Sequence, residues 1–211
     1  MDGTLVDSEK VWDVALHELA AHAGGKLSES ARLAMIGGSM AISMQILRDD
    51  LGQPDRDEAA DVEWLERRVE ELFADGLVWR PGAMELLRAV RAAGLPTALV
   101  TSTGRRLVEV ALNTLGRDNF DAVVCGDEVS APKPDPAPYL TAARLLGVPI
   151  GDCVAIEDSP TGMASAVASG ATVLAIPAEL ELPPTDGVHL RDSLVGVDPA
   201  FLGTLLEKVD A

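Results

Sequence analysis

The stretch "LPTALVTST", residues 95–103, decides the fold, because an apolar run in it leads directly into three hydroxyl side chains. Short apolar runs of this kind, bounded by turn residues, are typical of buried strands. Three similar runs follow, each separated from the next by a helical pattern: "DAVVCG" (121–126), "CVAIED" (153–158) and "TVLAI" (172–176). Strands that alternate with helices predict an α/β fold, in which helices cover both faces of a parallel sheet.

The N-terminal part of the chain has a different pattern. From about Ser8 to Trp79 apolar residues recur at helical spacing, and no strand pattern is evident. We predict four helices that form a small bundle, and in the third of them Ile42, Ile46 and Leu47 should face inward. The residues that begin or end these helices are Gly24, Ser28, Ser39 and Gly76.

Composition limits the classes of protein to which this chain can belong. With 211 residues, of which 47% are hydrophobic, it can bury a core of its own. The net charge of −17 opposes binding to nucleic acid or to anionic membranes, so neither is expected as a partner. Since no apolar run of ~20 residues and no leader is evident, we expect a cytoplasmic protein, with a monomer as the default. Cys125 and Cys153 lie in strand-like runs without metal-ligand spacing, which predicts buried free thiols.

Polar side chains follow three of the predicted strands at the point where each strand ends. These residues are Thr101, Ser102, Thr103, Lys133, Glu157 and Asp158. Parallel sheets bind ligands at the carboxyl ends of their strands, and neighbouring carboxylates are unfavourable unless a cation lies among them. Mg²⁺ prefers such oxygen ligands, while a lysine and hydroxyl groups can hold phosphoryl oxygens. Together with a third acid in the opening turn Asp2-Gly3-Thr4, the set predicts phosphoryl transfer.

Each of these residues also has a purely structural explanation when it is taken alone. Thr101 and Ser102 could cap the next helix, and Lys133, between two prolines, could be a solvated loop residue. Glu157 and Asp158 could complement the dipole at the start of a helix. Their joint occurrence, in this order and each at a strand end, favours a common site.

Four segments of the chain resemble the motifs of a known family. They are "MDGTLVDS" (1–8), "LVTST" (99–103), "KPDP" (133–136) and "AIEDSPTGMASAVASG" (155–170). In this order they resemble the four motifs of the haloacid dehalogenase-like hydrolases, and within them the branch of β-phosphoglucomutase and small-metabolite phosphatases. The resemblance spans nearly the whole chain, and the Asp-Gly-Thr turn favours phosphate esters over carbon–halogen bonds as substrates.

The resemblance implies a division into two domains. Residues 1–10 and 80–211 would form a Rossmann-like α/β core, and residues 11–79 would form an inserted four-helix cap. In that family the cap sets the substrate. The segment "MIGGSMAIS" (35–43) aligns with the place where β-phosphoglucomutase has an arginine for the distal phosphate, and Met40 stands there instead.

The first motif of that family is Asp-x-Asp-Gly-Thr, whose first Asp is a nucleophile that forms an aspartyl-phosphate. By similarity Asp2 is the second Asp, the general acid and base, and its backbone carbonyl binds Mg²⁺. Met1 is then the "x", so the nucleophile and its apolar strand, which lies between the strands ending near Val100 and Ile156, would precede Met1. We therefore expect the 211-residue chain to lack phosphatase activity and a chain extended upstream to gain it. The alternative is a relative without a nucleophile that only binds phosphorylated ligands.

The resemblance also assigns the other site residues. Thr101 would hold the phosphate through its hydroxyl, helped by the backbone N–H groups of Ser102 and Gly3. Lys133 would bind both the phosphate and the nucleophile. The implied metal ligands are Asp2, Glu157 and Asp158.

These assignments predict a Mg²⁺-dependent phosphatase that acts on a small phosphorylated metabolite, such as a sugar phosphate. A phosphoglucomutase-type isomerase is the alternative among enzymes, and Met40 weakens it because a mutase needs a clamp for a second phosphate. Arg67 or Arg68 could supply that clamp, although both could equally lie on a solvated helix face.

Overall fold

The computed structural model describes residues 1–36, 40–178 and 181–207. Its α-helices are α1 (Glu9–His22), α2 (Glu29–Met35), α3 (Met40–Leu51), α4 (Glu58–Ala74), α5 (Ala83–Ala92), α6 (Arg105–Leu115), α7 (Ala137–Leu146), α8 (Pro160–Ser169) and α9 (Pro199–Leu206). Its strands are β1 (Ala98–Val100), β2 (Ala122–Val124), β3 (Val154–Glu157), β4 (Thr172–Ala175) and β5 (Val188–Leu190). None of the described helices combines the length and the apolar character that a membrane span requires.

All strand pairs are parallel, which confirms the predicted α/β class. β1 pairs with β2, so that Leu99 lies opposite Val123, and β3 pairs with β4, so that Ile156 lies opposite Leu174. The first four strands are those predicted from the apolar runs. β5, which pairs with β4, was not predicted, because its three residues lie in a Pro- and Asp-rich segment and are partly or fully exposed.

The strands form two sheets that share no hydrogen-bonded ladder within the described residues, because β1 and β3 have no pairing with each other. The opening turn contributes only isolated bridges, which join Val6 to Asp2 and to Trp79. Apolar contacts connect the two halves instead. Leu5, Trp79 and Phe120 pack both against the cluster on the β1 side and against the cluster that contains Leu174.

The four predicted N-terminal helices are present as α1 to α4. In α3 the buried positions are Met44, Leu47 and Arg48, so the inward face follows the helical repeat through Leu47, as predicted. The expectation for Ile42 was wrong: this residue precedes Met44 by two positions, which is about 200° around a helix, and it is 55% exposed. Ser39, the predicted start of α3, and the two preceding glycines of "MIGGSMAIS" lie outside the described residues.

The helices of the N-terminal bundle pack against the sheet-containing part of the chain through α6. One apolar cluster contains Leu65 and Phe73 of α4 and continues to Leu107 and Val108 of α6. Because α6 follows directly after β1, this packing places the bundle beside the carboxyl end of β1. The predicted site residues lie at this end of the strand.

Candidate active site

Hydroxyl groups from three places in the chain hold the carboxylate of Asp2. Thr103 donates a hydrogen bond from Oγ1 to Oδ2 of Asp2 at 2.7 Å, and Thr101 donates to the same oxygen at 3.3 Å. Ser8 donates from Oγ to Oδ1 at 2.6 Å. The structure thus brings Asp2 and Thr101 together, although about a hundred residues separate them along the chain.

The sequence analysis did not identify Ser8, and it included Thr103 among the strand-end hydroxyls without assigning it a contact with Asp2. Ser8 is the N-cap residue of α1, yet its side chain makes no capping hydrogen bond, since the hydroxyl donates to Asp2 instead. Losing a serine cap costs a helix about 0.5–2 kcal/mol. The Ser8 hydroxyl does not cap α1, so its hydrogen bond to Asp2 must offset this cost in helix stability. The available signals were the "DS" of the first motif and the third hydroxyl of "TST".

The turn after Asp2 lies directly against the end of β3. Thr4 donates from Oγ1 to Oδ1 of Asp158 at 2.5 Å. Gly3 has φ = +65°, and a Cβ at this position would clash with the Asp158 carboxylate. A glycine is therefore required here for two reasons, the backbone conformation and the close approach of the carboxylate.

Lys133 reaches the end of β3 from the loop that precedes α7. Its ammonium lies 2.5 Å from Oε1 of Glu157 and 3.3 Å from the backbone carbonyl oxygen of Val100, which ends β1. Tyr139 of α7 donates its hydroxyl hydrogen to the same Oε1. Glu157 itself is only 4% exposed, and a Cβ at Gly162 would clash with its carboxylate.

Burial and neighbouring charges act on these groups in opposite directions. Burial by itself would raise the pKa of Glu157, but the ammonium of Lys133 and the hydrogen bond from Tyr139 hold that pKa below its ordinary value. Burial raises the pKa of Asp158 to about 6. The carboxylates of Glu157 and Asp2 add to the rise, whereas the α-ammonium of Met1 and the hydrogen bond from Thr4 oppose it. Burial and the charge of Glu157 also raise the pKa of Tyr139 well above its ordinary value, so this hydroxyl stays protonated.

The donor set at the end of β3 fits a magnesium ion. Asp158 and Glu157 are adjacent carboxylates, which supply the oxygen ligands that Mg²⁺ prefers. Lys133 already balances the charge of Glu157, whereas among the described residues no lysine or arginine side chain pairs with Asp158. The raised pKa of Asp158 means that a cation at this carboxylate would relieve an unfavourable charge. The side-chain oxygens of Asp2, Glu157 and Asp158 do not all lie within 4.8 Å of one another, which is compatible with the backbone-carbonyl role implied for Asp2.

A second group of possible metal ligands lies after β2. Cys125, Asp127 and Glu128 converge there, within the part of the chain that the structure describes. Arg105 occupies this group, because its guanidinium lies 2.6 Å from Glu128 and its backbone N–H donates to Asp127 at 3.0 Å. Burial also raises the pKa of Cys125 to about 12, so its thiol is protonated at neutral pH. Both cysteines are free, as predicted, but Cys153 is only partly buried.

The remaining predicted residues are not brought into these contacts. Ser102 is exposed beside Thr101. Arg67 pairs with Glu63 on its own helix, at 3.3 Å, and Arg68 binds Glu18 of α1 at 2.5 Å and Glu71 at 2.9 Å. Met40 packs against the apolar cluster of the bundle. In the described residues, neither arginine contacts a strand-end side chain.

Comparison with known proteins identifies the family. A sequence model of the haloacid dehalogenase-like hydrolases matches residues 1–170. Hexitol phosphatase A of Escherichia coli (strain K12) is 35% identical over 191 residues, which cover 90% of this chain and 86% of that protein. Crystal structures of Rhodobacter sphaeroides CbbY with phosphate and of a CbbY mutant with xylulose-(1,5)bisphosphate have TM-scores of 0.84 and 0.83, at 29% and 28% identity, and each covers 96% of both chains. This chain belongs to the haloacid dehalogenase-like hydrolases.

Proposed function

We propose that the protein is a Mg²⁺-dependent phosphatase that hydrolyses the phosphomonoester of a small phosphorylated metabolite. The observation that carries this proposal is the meeting of Asp2, Lys133 and Asp158 at the carboxyl ends of β1 and β3. An acid, a cation and a carboxylate suited to a metal ion are the groups that phosphoryl transfer requires. The phosphatase name of a relative at 35% identity supports the same reaction class.

In this mechanism Asp2 moves the protons. It donates a proton to the leaving oxygen of the ester, and it later accepts a proton from the water that attacks the phosphorylated enzyme. The hydroxyls of Ser8 and Thr103 hold its two carboxylate oxygens and so fix the direction in which the proton is delivered. Thr101 can turn its hydroxyl from Asp2, at 3.3 Å, to a phosphoryl oxygen.

Lys133 balances part of the negative charge of the transferring group, and Asp158 would hold the metal ion that balances the rest. The ammonium of Lys133, which the carbonyl oxygen of Val100 holds at the end of β1, binds a phosphoryl oxygen. Asp158, Glu157 and the backbone carbonyl of Asp2 are the groups that would hold Mg²⁺. The ion supplies neutralisation of the negative charge on the phosphoryl oxygens.

We propose that the phosphoryl group passes through an aspartyl-phosphate, on an aspartate that by similarity to the first family motif would precede Met1 by one residue. The experiment therefore compares the 211-residue chain with a chain extended upstream by an apolar strand that ends in aspartate. We expect phosphate release by the extended chain only, dependent on Mg²⁺ and abolished by EDTA. An extended chain with asparagine in that position is the matched control. Equal turnover by all three proteins would refute the covalent mechanism.

For the substrate we propose a sugar or hexitol phosphate, because a hexitol phosphatase is 35% identical over 90% of this chain. Helices α1 to α4, within residues 11–79, would form the cap that selects it. The mutase alternative gains no support, since the glutamates that pair with Arg67 and Arg68 already balance their charges. We also propose a monomeric, cytoplasmic protein. The net charge of −17 supports the part of this proposal that it binds neither nucleic acid nor membranes.

A panel of phosphorylated hexitols, hexoses and pentoses, assayed with the extended chain for phosphate release, tests the substrate class. Incubation with β-glucose 1-phosphate and a trace of the bisphosphate tests the mutase alternative. Phosphate release without glucose 6-phosphate is the expected result. Formation of glucose 6-phosphate would overturn the assignment as a phosphatase.

A further inference from the structure

The ammonium of Lys133 has a protein acceptor for each of its three N–H groups. Oε1 of Glu157 lies at 2.5 Å, the carbonyl oxygen of Val100 at 3.3 Å and the hydroxyl oxygen of Tyr139 at 3.5 Å. A lysine has three donors and no more. If Lys133 binds a phosphoryl oxygen, one of these contacts must therefore be given up or weakened.

Among the three acceptors, Glu157 is the one for which loss of a hydrogen-bond donor is most unfavourable. Its side chain is 5% exposed, and a buried carboxylate without hydrogen bonds is strongly unfavourable. Oε1 of this carboxylate accepts from two donors, Lys133 and the hydroxyl of Tyr139. Oε2 has only a long hydrogen bond, 3.3 Å, from the backbone N–H of Asp158. When Lys133 turns away, Oε1 therefore keeps a hydrogen bond if Tyr139 continues to donate to it.

We propose that Tyr139 is a positioning residue, whose hydroxyl keeps Oε1 of Glu157 hydrogen-bonded while Lys133 turns toward a bound phosphoryl group. The inference rests on the proposed function, because the phosphoryl group is what attracts Lys133. No proton is transferred in this step. The Tyr139 hydroxyl keeps its hydrogen, and Lys133 exchanges one acceptor for another.

The variant Tyr139→Phe separates this role from ordinary packing. Without ligand, Lys133 still pairs with Glu157, so the folded state loses one hydrogen bond and keeps its buried charge balanced. With phosphate bound, Lys133 is the one donor to Oε1 that remains among the described residues, and it is shared between two anions. We expect the affinity for inorganic phosphate to fall about tenfold, the factor that corresponds to one hydrogen bond to a charged group.

The experiment is a calorimetric titration of the 211-residue chain with inorganic phosphate in the presence of Mg²⁺. Ser169→Ala is the matched control, because it also removes a buried hydroxyl, one that donates to the carbonyl oxygen of Ala166 within α8. This control should bind phosphate as the original chain does. Equal affinity of Tyr139→Phe and the original chain would overturn the proposal, even if the variant were less stable. Failure of the original chain to bind phosphate would overturn this inference, and failure of the extended chain as well would overturn the proposed function.

A second measurement needs no substitution. Tyr139 is the single tyrosine of the chain, so ring-labelled tyrosine gives one NMR signal. The Lys133 ammonium lies 5.1 Å from the centre of the Tyr139 ring. When phosphate draws this cation away, the signal should shift and reach a plateau at the calorimetric saturation point. A signal that stays in place at saturating phosphate would contradict the movement of Lys133, and a purely structural role of Tyr139 would predict that result.

Discussion

The strand-end site and the outer face of α4 both carry a pair of opposite charges, but in very different surroundings. Lys133 and Glu157 belong to separate elements, and their side chains are 9% and 5% exposed. Arg67 and Glu63 lie one turn apart on one helix and are 59% and 70% exposed. The comparison shows that burial of a charge pair, rather than its mere presence, indicates whether the stability of the fold depends on it. Exposed pairs contribute little to stability, whereas a buried charge that loses its partner is costly.

The largest expected effect comes from Lys133→Met. This change removes the side-chain cation that pairs with the buried Glu157, which should lower the free energy of unfolding by about 3 kcal/mol. The value lies at the low end of the range for broken buried pairs, because Tyr139 still donates to Oε1. Urea unfolding, followed by circular dichroism, measures it. Arg67→Met is the control, with an expected change within about 0.5 kcal/mol. Similar losses for both variants would show that burial does not distinguish the two pairs.

Gly3→Ala should have the next largest effect on stability. The position has φ = +65°, and the new Cβ would clash with the carboxylate of Asp158. Gly24, with φ = +79° and no atom within 4 Å of an added Cβ, is the matched control. An alanine in the left-handed region costs about 1–2 kcal/mol, so Gly24→Ala should lose this amount and Gly3→Ala about 1 kcal/mol more. Equal losses would mean that the turn can move away from Asp158 at no cost.

The buried carboxylate of Asp158 predicts a dependence of stability on pH. Its pKa in the folded protein is about 6, above the ordinary value of 3.8. Between these two values the folded state binds more protons than the unfolded state, so this group's contribution to stability falls as the pH rises from about 4 to about 6. At about 1.4 kcal/mol for each pKa unit, the fall should amount to about 3 kcal/mol.

Asp158→Asn isolates that contribution, because the other carboxylates titrate in both proteins. Urea unfolding in EDTA at several pH values should show a difference between the two proteins that changes across this window and is constant below it. Added Mg²⁺ should stabilise the original chain at pH 7 and have little effect on the variant. A constant difference over the whole range would show that Asp158 titrates normally.

The fold and the main site residues could be predicted from the sequence for specific reasons. β1 to β4 are continuous apolar runs, and residues such as Thr101 and Asp158 follow them directly. β5 could not be predicted, because only its pairing with β4 defines it as a strand. For Ile42, apolar character suggested burial, but the inward face of α3 is set by the packing of Met44 and Leu47.

The contacts that the sequence did not reveal are those set by tertiary proximity. Tyr139 lies at a buried position of α7, and Ser8 lies at the N-cap position of α1. Nothing in the local pattern shows that the Tyr139 hydroxyl reaches Glu157, 18 positions away, or that Ser8 turns to Asp2. Hydroxyl groups are the least predictable members of the site, because one side chain can cap a helix, bind a backbone carbonyl or hold a catalytic acid equally well.

Thr103→Val tests whether one of these hydroxyl groups holds the proposed catalytic acid. The expected loss of stability is the smallest of the series, about 1 kcal/mol, which is the usual value of one hydrogen bond. It removes the 2.7 Å hydrogen bond to Asp2 and keeps the shape of the side chain. Thr97→Val is the control, since this hydroxyl, just before β1, donates only to the carbonyl oxygen of Leu95. In the extended chain, loss of the hold on Asp2 should lower kcat about tenfold or more and leave KM nearly unchanged, because proton delivery is a transition-state interaction. If both variants kept full kcat, Thr103 would be a structural contact only, and Ser8 alone would have to orient the proposed acid.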